Sequence, residues 1–261
     1  MSPTESRSSE PRALVTGAGT GIGRAIALAL AKGGARVALA GRRKAPLDET
    51  AALVAKAGGK ALVQPFDVTD REAVATAVAR IARDLGGLDI LVNNAGVGGP
   101  NGCFVDGPDR WDLVMRTNLD GVFFVTRAAL RHFGTGGRVI HIASVLGKFG
   151  VPGYTAYCAA KHGLIGFTKA LALECAPRQI TVNAVCPGWV ETEMAREGMA
   201  GLAQAMGVNF EQARAHALAQ VPLGRILQPE EIGDLVAWLA SPAASGVTGQ
   251  AWSVCGGATM G

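Results

Sequence analysis

Short, wholly apolar runs recur along this chain, and helical segments separate them. Arg12–Thr16 carries the first run, Ala13-Leu14-Val15, ahead of strong helix formers at 24–32. The run at 35–40 leads to a helix at 47–56, and that at 61–66 to a helix at 70–85. Strands are expected again at 89–93, 137–143, 180–185 and 250–254, with helices at 109–133, 154–176, 211–220 and 229–239. A strand exposed on one face alternates apolar with polar residues, so strands apolar throughout must be covered on both faces. With helices between them and right-handed crossovers, the pattern predicts an α/β fold: a doubly wound, Rossmann-like parallel sheet with helices on both sides.

At 261 residues and 49% hydrophobic content, the chain suits one such domain over 12–261. The polar, Ser-rich stretch 1–11 reads as a flexible tail. Residues 188–208, rich in Glu, Met and Gly, show no clear period and read as a substrate lid.

The net charge of +4 is scattered, and its longest block is Arg42-Arg43-Lys44. That argues against a nucleic-acid partner and for a local anionic ligand. Five cysteines without CxxC spacing suggest reduced thiols and a cytoplasmic protein. The four histidines form no ligand motif, so no metal is expected. No signal-peptide core or unbroken apolar span points to a membrane.

Between the first strand and first helix lies Thr16-Gly17-Ala18-Gly19-Thr20-Gly21-Ile22-Gly23. Glycine permits positive φ and removes the Cβ that would keep a ligand away. The helix that follows offers free N–H groups and the positive end of its dipole, a seat for a pyrophosphate. Gly17, Thr20, Gly21, Ile22 and Gly23 are therefore candidate dinucleotide contacts. An acid ending the second strand would bind a ribose 2′-hydroxyl and repel a 2′-phosphate. Here Gly41 is followed by Arg42 and Arg43, whose guanidinium groups suit a phosphate, so NADP(H) is favoured over NAD(H).

Tyr157 and Lys161 are four apart on a helical segment, which puts them on one face. A phenol can protonate the alkoxide that hydride transfer leaves on a ketone. A lysine charge about 4 Å away would lower its pKa by roughly 3 units at an effective dielectric near 20. Ser144, just past the strand at 137–143, can meet the substrate oxygen at the carboxyl edge of the sheet. No GxSxG elbow accompanies it, which argues against acyl transfer.

These motifs together resemble the short-chain dehydrogenase/reductase family. The likeness runs from Ala13 to Gly257. It rests on Thr16 to Gly23, Asp67-Val68, Asn93-Asn94-Ala95-Gly96, Asn118, Ser144, Tyr157-Cys158-Ala159-Ala160-Lys161, Asn183 and Pro187-Gly188, in that order. The resemblance implies a catalytic tetrad of Asn118, Ser144, Tyr157 and Lys161, with Asn118 holding a relay water and Lys161 also binding the nicotinamide ribose. It puts Asp67 and Val68 beside the adenine, Asn94, Ala95 and Gly96 by the adenosine ribose, and Pro187, Gly188, Val190 and Thr192 at the nicotinamide. Tyr157 is implied there too, beside the cofactor. It also implies a homotetramer built on 109–133, 154–176 and 229–254.

The substrate wall is expected from 98–103, 145–154 and 189–206, with Gly98, Val145, Leu146, Tyr154, Trp189 and Met194 suited to an apolar or aromatic ketone. KHGLIGFTKALA at 161–172 and VNAVCPGWVETEM at 182–194 resemble polyketide ketoreductases and 3-oxoacyl-thioester reductases. Val97-Gly98-Gly99-Pro100 stands where aromatic-polyketide ketoreductases tend to carry Pro-Gly-Gly, which leaves the ketone open. The expected reaction is NADP(H)-dependent reduction of a small-molecule ketone, which could be thioester-linked, to a secondary alcohol. An NAD(H)-linked alcohol or 3-hydroxyacid dehydrogenase and a non-catalytic dinucleotide-binding protein are the alternatives.

Overall fold

A computed structural model of the chain describes residues 10–104 and 109–260. Residues 1–9 of the expected tail lie outside that range. Glu10 forms an ion pair with Lys60 at 2.7 Å, and the Pro11 carbonyl accepts from Arg36 N at 2.8 Å.

The first half alternates strand and helix: β1 (Arg12–Thr16), α1 (Gly21–Lys32), β2 (Arg36–Gly41), α2 (Lys44–Lys56), β3 (Lys60–Pro65), α3 (Arg71–Leu85) and β4 (Leu88–Asn93). The second half holds α4 (Trp111–Met115), α5 (Gly121–Ala129), β5 (Phe133–Ile142), α6 (Thr155–Cys175), β6 (Thr181–Pro187), α7 (Glu193–Met206), α8 (Phe210–Ala219), α9 (Pro229–Ala240) and β7 (Ala251–Val254). The strands form one parallel sheet in the order β3-β2-β1-β4-β5-β6-β7. The doubly wound α/β prediction is borne out.

The uninterrupted apolar strands divide their side chains between two cores. Leu14, Leu91, Val139 and Val182 point to one, against Val78 and Ile81 of α3, Val125 of α5 and Leu171 of α6. Val15, Val92, Ile140 and Val185 point to the other, against Ile26 and Leu30 of α1, Val54 of α2 and Val236 of α9. Because successive side chains alternate faces, nearly every position in the central strands is buried, and most of them are apolar. The chain leaves β1 towards β2 on one side and reaches β4 on the other. The crevice past the carboxyl ends of β1 and β4 is the switch point where such sheets bind ligands.

Two segments differ from expectation. The helix predicted over 109–133 is helical from Trp111 to His132 but not α-helical throughout. After α4 the backbone widens into a π turn at Arg116–Asp120, and α5 ends in a 3-10 turn at Leu130–His132. Phe133 already belongs to β5, where it pairs with Leu88 and lays its ring over Gly137. A Cβ at Gly137 would lie 2.3 Å from that ring, so strand pairing and this close contact override local helix propensity.

The second is the segment at 188–208. Rather than lacking periodicity, it contains the 14-residue α7, capped by Thr192 Oγ1 accepting from Ala195 N at 3.2 Å and ended by Gly207 at φ 66°. Only Met199 and Ala203 of α7 are buried, one turn apart, so its apolar stripe is too thin to read by periodicity. Among the described residues, no helix is long and apolar enough to cross a membrane.

Candidate active site

The glycine turn closes on itself before it meets anything else. Gly17 has φ +64° and Gly21 φ +50°, both left-handed conformations that suit glycine. A Cβ on Gly23 would lie 2.0 Å from the Gly17 carbonyl, so Gly23 serves the packing of α1 against the turn. Thr16 Oγ1 accepts from the backbone N–H groups of Asn94 and Ala95 at 3.0 and 3.1 Å. The Asn94 amide donates to the carbonyls of Thr16 and Gly17 at 3.0 and 3.1 Å. Asn94, expected at the ribose, thus has its side chain committed to bracing the turn.

An open cleft of about 800 Å³ lies over this turn. Gly17, Thr20, Arg42, Arg43, Asp67, Val68, Ala95 and Gly96, all expected at the cofactor, line it. So do Thr69, Leu113 and Thr117, which the sequence reading missed. Leu113 and Thr117 are a helical turn apart just before Asn118, and that spacing was the signal available. Asp67 Oδ1 accepts from the N–H and hydroxyl of Thr69 at 2.9 Å each, so it also shapes its own turn. Arg42 and Arg43 make no hydrogen bond or ion pair with any described residue; the nearby acids are taken, Asp48 by Lys44 and Glu49 by Arg24. Two unpaired guanidinium groups beside a glycine cradle fit a phosphorylated dinucleotide.

On the far side stand the residues expected at the nicotinamide. Thr192 approaches the turn: its Cγ2 lies 3.1 Å from the Cβ position of Gly21. Pro187 ends β6, and Gly188 sits against Cys255, whose Cβ is 2.9 Å from where a Gly188 Cβ would be. Val190 is buried and bridges to Leu227. Ile22 belongs to α1 and packs against the core on that side of the sheet rather than lining the cleft.

The four tetrad candidates come together at the carboxyl edge of β5. Asn118, fully buried within the π turn, accepts from Val97 N at 2.9 Å and donates to Val97 O at 2.8 Å. Its Oδ1 lies 3.0 Å, and Lys161 Nζ 3.8 Å, from the Cβ position of Gly96, so the two meet across a glycine that leaves room for both. Lys161 Nζ donates to the Ile142 carbonyl at 2.8 Å and lies 5.5 Å from the Tyr157 ring centroid. Ser144 follows directly in extended conformation, its Oγ accepting from Leu146 N at 3.1 Å.

The electrostatics differ from what the four-residue spacing implies. Burial pushes the Tyr157 phenol up to about 12, and a hydrogen bond with Ser144 opposes the shift. Burial lowers Lys161 to about 8. The expected drop at Tyr157 fails because the ammonium is aimed at the Ile142 carbonyl, while desolvation of the phenol dominates.

Of the expected substrate wall, Met194 and Gly98 meet: a Cβ at Gly98 would lie 3.5 Å from Met194 Cγ and Sδ. Tyr154 bridges to Asn101 and its phenol is raised by burial. Val145 is buried and Leu146 half-buried in the 3-10 turn after Ser144. Trp189 instead turns under α7, against Met199, Ala217 and Ile226, which takes its ring into helix packing.

A half-buried tyrosine with a buried serine and lysine beside a glycine-lined dinucleotide crevice define an oxidoreductase site on a Rossmann-type sheet. A family model described as enoyl-(acyl carrier protein) reductase matches residues 17–259, and the chain belongs to the short-chain dehydrogenase/reductase family. A Streptomyces coelicolor protein provisionally named a ketoacyl reductase is 43% identical over 249 residues, 94% of this chain and 95% of that one. The Vibrio cholerae 3-oxoacyl-(acyl-carrier-protein) reductase FabG is 41% identical over 251 residues, 95% of this chain and 97% of its own. The crystal structure of F189W actinorhodin polyketide ketoreductase with NADPH superposes with a TM-score of 0.91 at 43% identity, covering 97% and 98% of the two chains.

Proposed function

We propose that this enzyme uses NADPH to reduce the ketone of a 3-oxoacyl thioester or a related apolar or aromatic ketone to a secondary alcohol. The observation that carries the reading is Tyr157, Ser144 and Lys161 gathered at the carboxyl edge of β5, with Lys161 Nζ 3.8 Å from the Cβ position of Gly96, which lines the glycine cleft. The names of the similar proteins support the substrate class, and the unpaired Arg42 and Arg43 support the 2′-phosphate form of the cofactor.

The reduced nicotinamide supplies the hydride. Ser144 Oγ donates to the carbonyl oxygen and stabilises the charge that develops there. Tyr157, held protonated by burial, donates its proton to that oxygen. Lys161 offsets the phenolate left behind, and Asn118 fixes Val97 and the backbone beside Gly96 at the mouth of the site. The lid role of α7 rests on Thr192 and Met194, which reach the turn and Gly98 respectively.

The deciding experiment follows NADPH absorbance with a 3-oxoacyl thioester, aryl ketones and the matching enoyl thioester. Tyr157→Phe should lower kcat by about a hundredfold or more while NADPH binding persists. Unchanged turnover refutes the mechanism, and turnover of the enoyl thioester alone refutes the ketone assignment.

A homotetramer forms part of the same reading. Trp111 and Phe123, Leu173 of α6 and Trp238 of α9 are large apolar side chains left exposed on the three segments assigned to it. Sedimentation at micromolar concentration should show four chains; a stable monomer contradicts the assignment.

A further inference from the structure

Helices α7 and α8 enclose a second cavity of about 350 Å³ that shares no lining residue with the dinucleotide cleft. Its apolar floor is Met199, only 1% exposed, with Ile226 and the ring of Phe210. Three charged side chains also reach it: Glu191, Arg196 and Arg214. The first two neutralise each other, Arg196 meeting the Glu191 carboxylate at 2.8 Å. Arg214, half-buried, makes no hydrogen bond or ion pair with any described residue. The cavity therefore carries one positive charge in excess, on a guanidinium that has given up part of its water without gaining a partner.

A partly desolvated cation beside apolar surface is unfavourable alone and favourable to a ligand that supplies both a counter-charge and a hydrocarbon body. We infer that this cavity binds a small amphipathic carboxylate, its carboxylate on Arg214 and its short chain or ring on Met199, Phe210 and Ile226. Such a ligand touches α7 on residues other than Met194 and Thr192, which serve the reaction cleft, so the site is separate from substrate binding.

Hexanoate titrated into protein with ¹³C-labelled methionine methyls tests this, because Met199 lines the cavity and Met194 faces Gly98. A saturable shift of the Met199 methyl is expected, with Met194 unmoved and hexylamine without effect. Arg214→Gln should weaken binding about tenfold or more, the worth of one charge-assisted hydrogen bond. Ala195→Leu, which fills the cavity from α7, should abolish the shift. Both variants are judged on spectra in which the other methionine methyls keep their positions. A Met199 shift unchanged in both variants, a shift confined to Met194, or no saturation overturns the assignment.

Discussion

His141 should make this protein acid-labile well above the range where its carboxylates protonate. The ring is fully buried in β5 and stacked on Phe167, with centroids 5.4 Å apart. Its Nδ1 is 2.9 Å from Thr168 Oγ1, whose own proton goes to the Leu164 carbonyl at 2.8 Å. Nδ1 is therefore the donor, and Nε2 is left as an acceptor with no partner among the described residues. Burial, and to a lesser degree the Lys161 charge, lowers its pKa from 6.5 to about 3.

The sign follows from linkage. Between those two values the unfolded chain binds a proton that the folded chain refuses, so stability is complete above about pH 6.5 and falls as pH drops towards 3. Each unit costs about 1.4 kcal/mol, so near pH 4.5 the loss is about 3 kcal/mol, a large part of a domain's usual 5–15 kcal/mol. Urea unfolding of the native protein and His141→Asn near pH 7.5 and pH 4.5 measures it. Asparagine keeps an amide for Thr168 and cannot titrate, so the gap between the proteins should move about 3 kcal/mol in the variant's favour on acidification. Parallel losses at the two pH values would refute the reasoning.

The cleft makes its own predictions. Arg42→Ala should weaken NADPH binding about tenfold or more, measured by fluorescence titration, and leave NADH nearly unchanged. Equal losses for both cofactors would remove Arg42 from the 2′-phosphate. Gly17→Ala should destabilise the fold by about 2 kcal/mol or more, because a left-handed alanine costs roughly 1–2 kcal/mol and its Cβ meets Asn94 Nδ2. An unchanged thermal midpoint would count against that account of the turn. Asp70→Ala should cost about 1 kcal/mol in urea unfolding, since Asp70 Oδ1 caps α3 by accepting from Glu72 N and Ala73 N at 3.1 and 3.0 Å.

What could be read in the chain depended on how local its physical cause was. The strands were legible because burial on both faces leaves them mostly apolar, as Leu14 and Val15 show by entering different cores. The glycine turn was legible because a φ of +64° at Gly17 asks for that residue type locally. The π turn after Met115 was hidden because no residue type marks it locally, while the close approach of the helix to Val68, whose Cγ2 would be 2.9 Å from a Cβ at Gly121, is a tertiary contact. Helix α7 was hidden because only two of its positions reach the core. Asn94 was placed on the right wall, but no spacing rule could show its amide already bound to Thr16 and Gly17.

The tyrosine–lysine pair shows where spacing stops being enough. Four residues on a helix place both groups on one face, and the structure keeps them close, with the ammonium 5.5 Å from the ring. Spacing says nothing about what else competes for the ammonium or how much water the phenol has lost. The Ile142 carbonyl takes the ammonium, and enclosure holds the phenol near 12. At pH 7 that is about five units from ionising, about 7 kcal/mol against the phenolate. A phenol so held stays protonated but is a weaker acid than a free tyrosine, so its proton passes only to a stronger base such as the alkoxide that hydride transfer leaves. The burial that outweighs the pull of the lysine charge thus sets the protonation state of the resting phenol, which the helical spacing alone could not give.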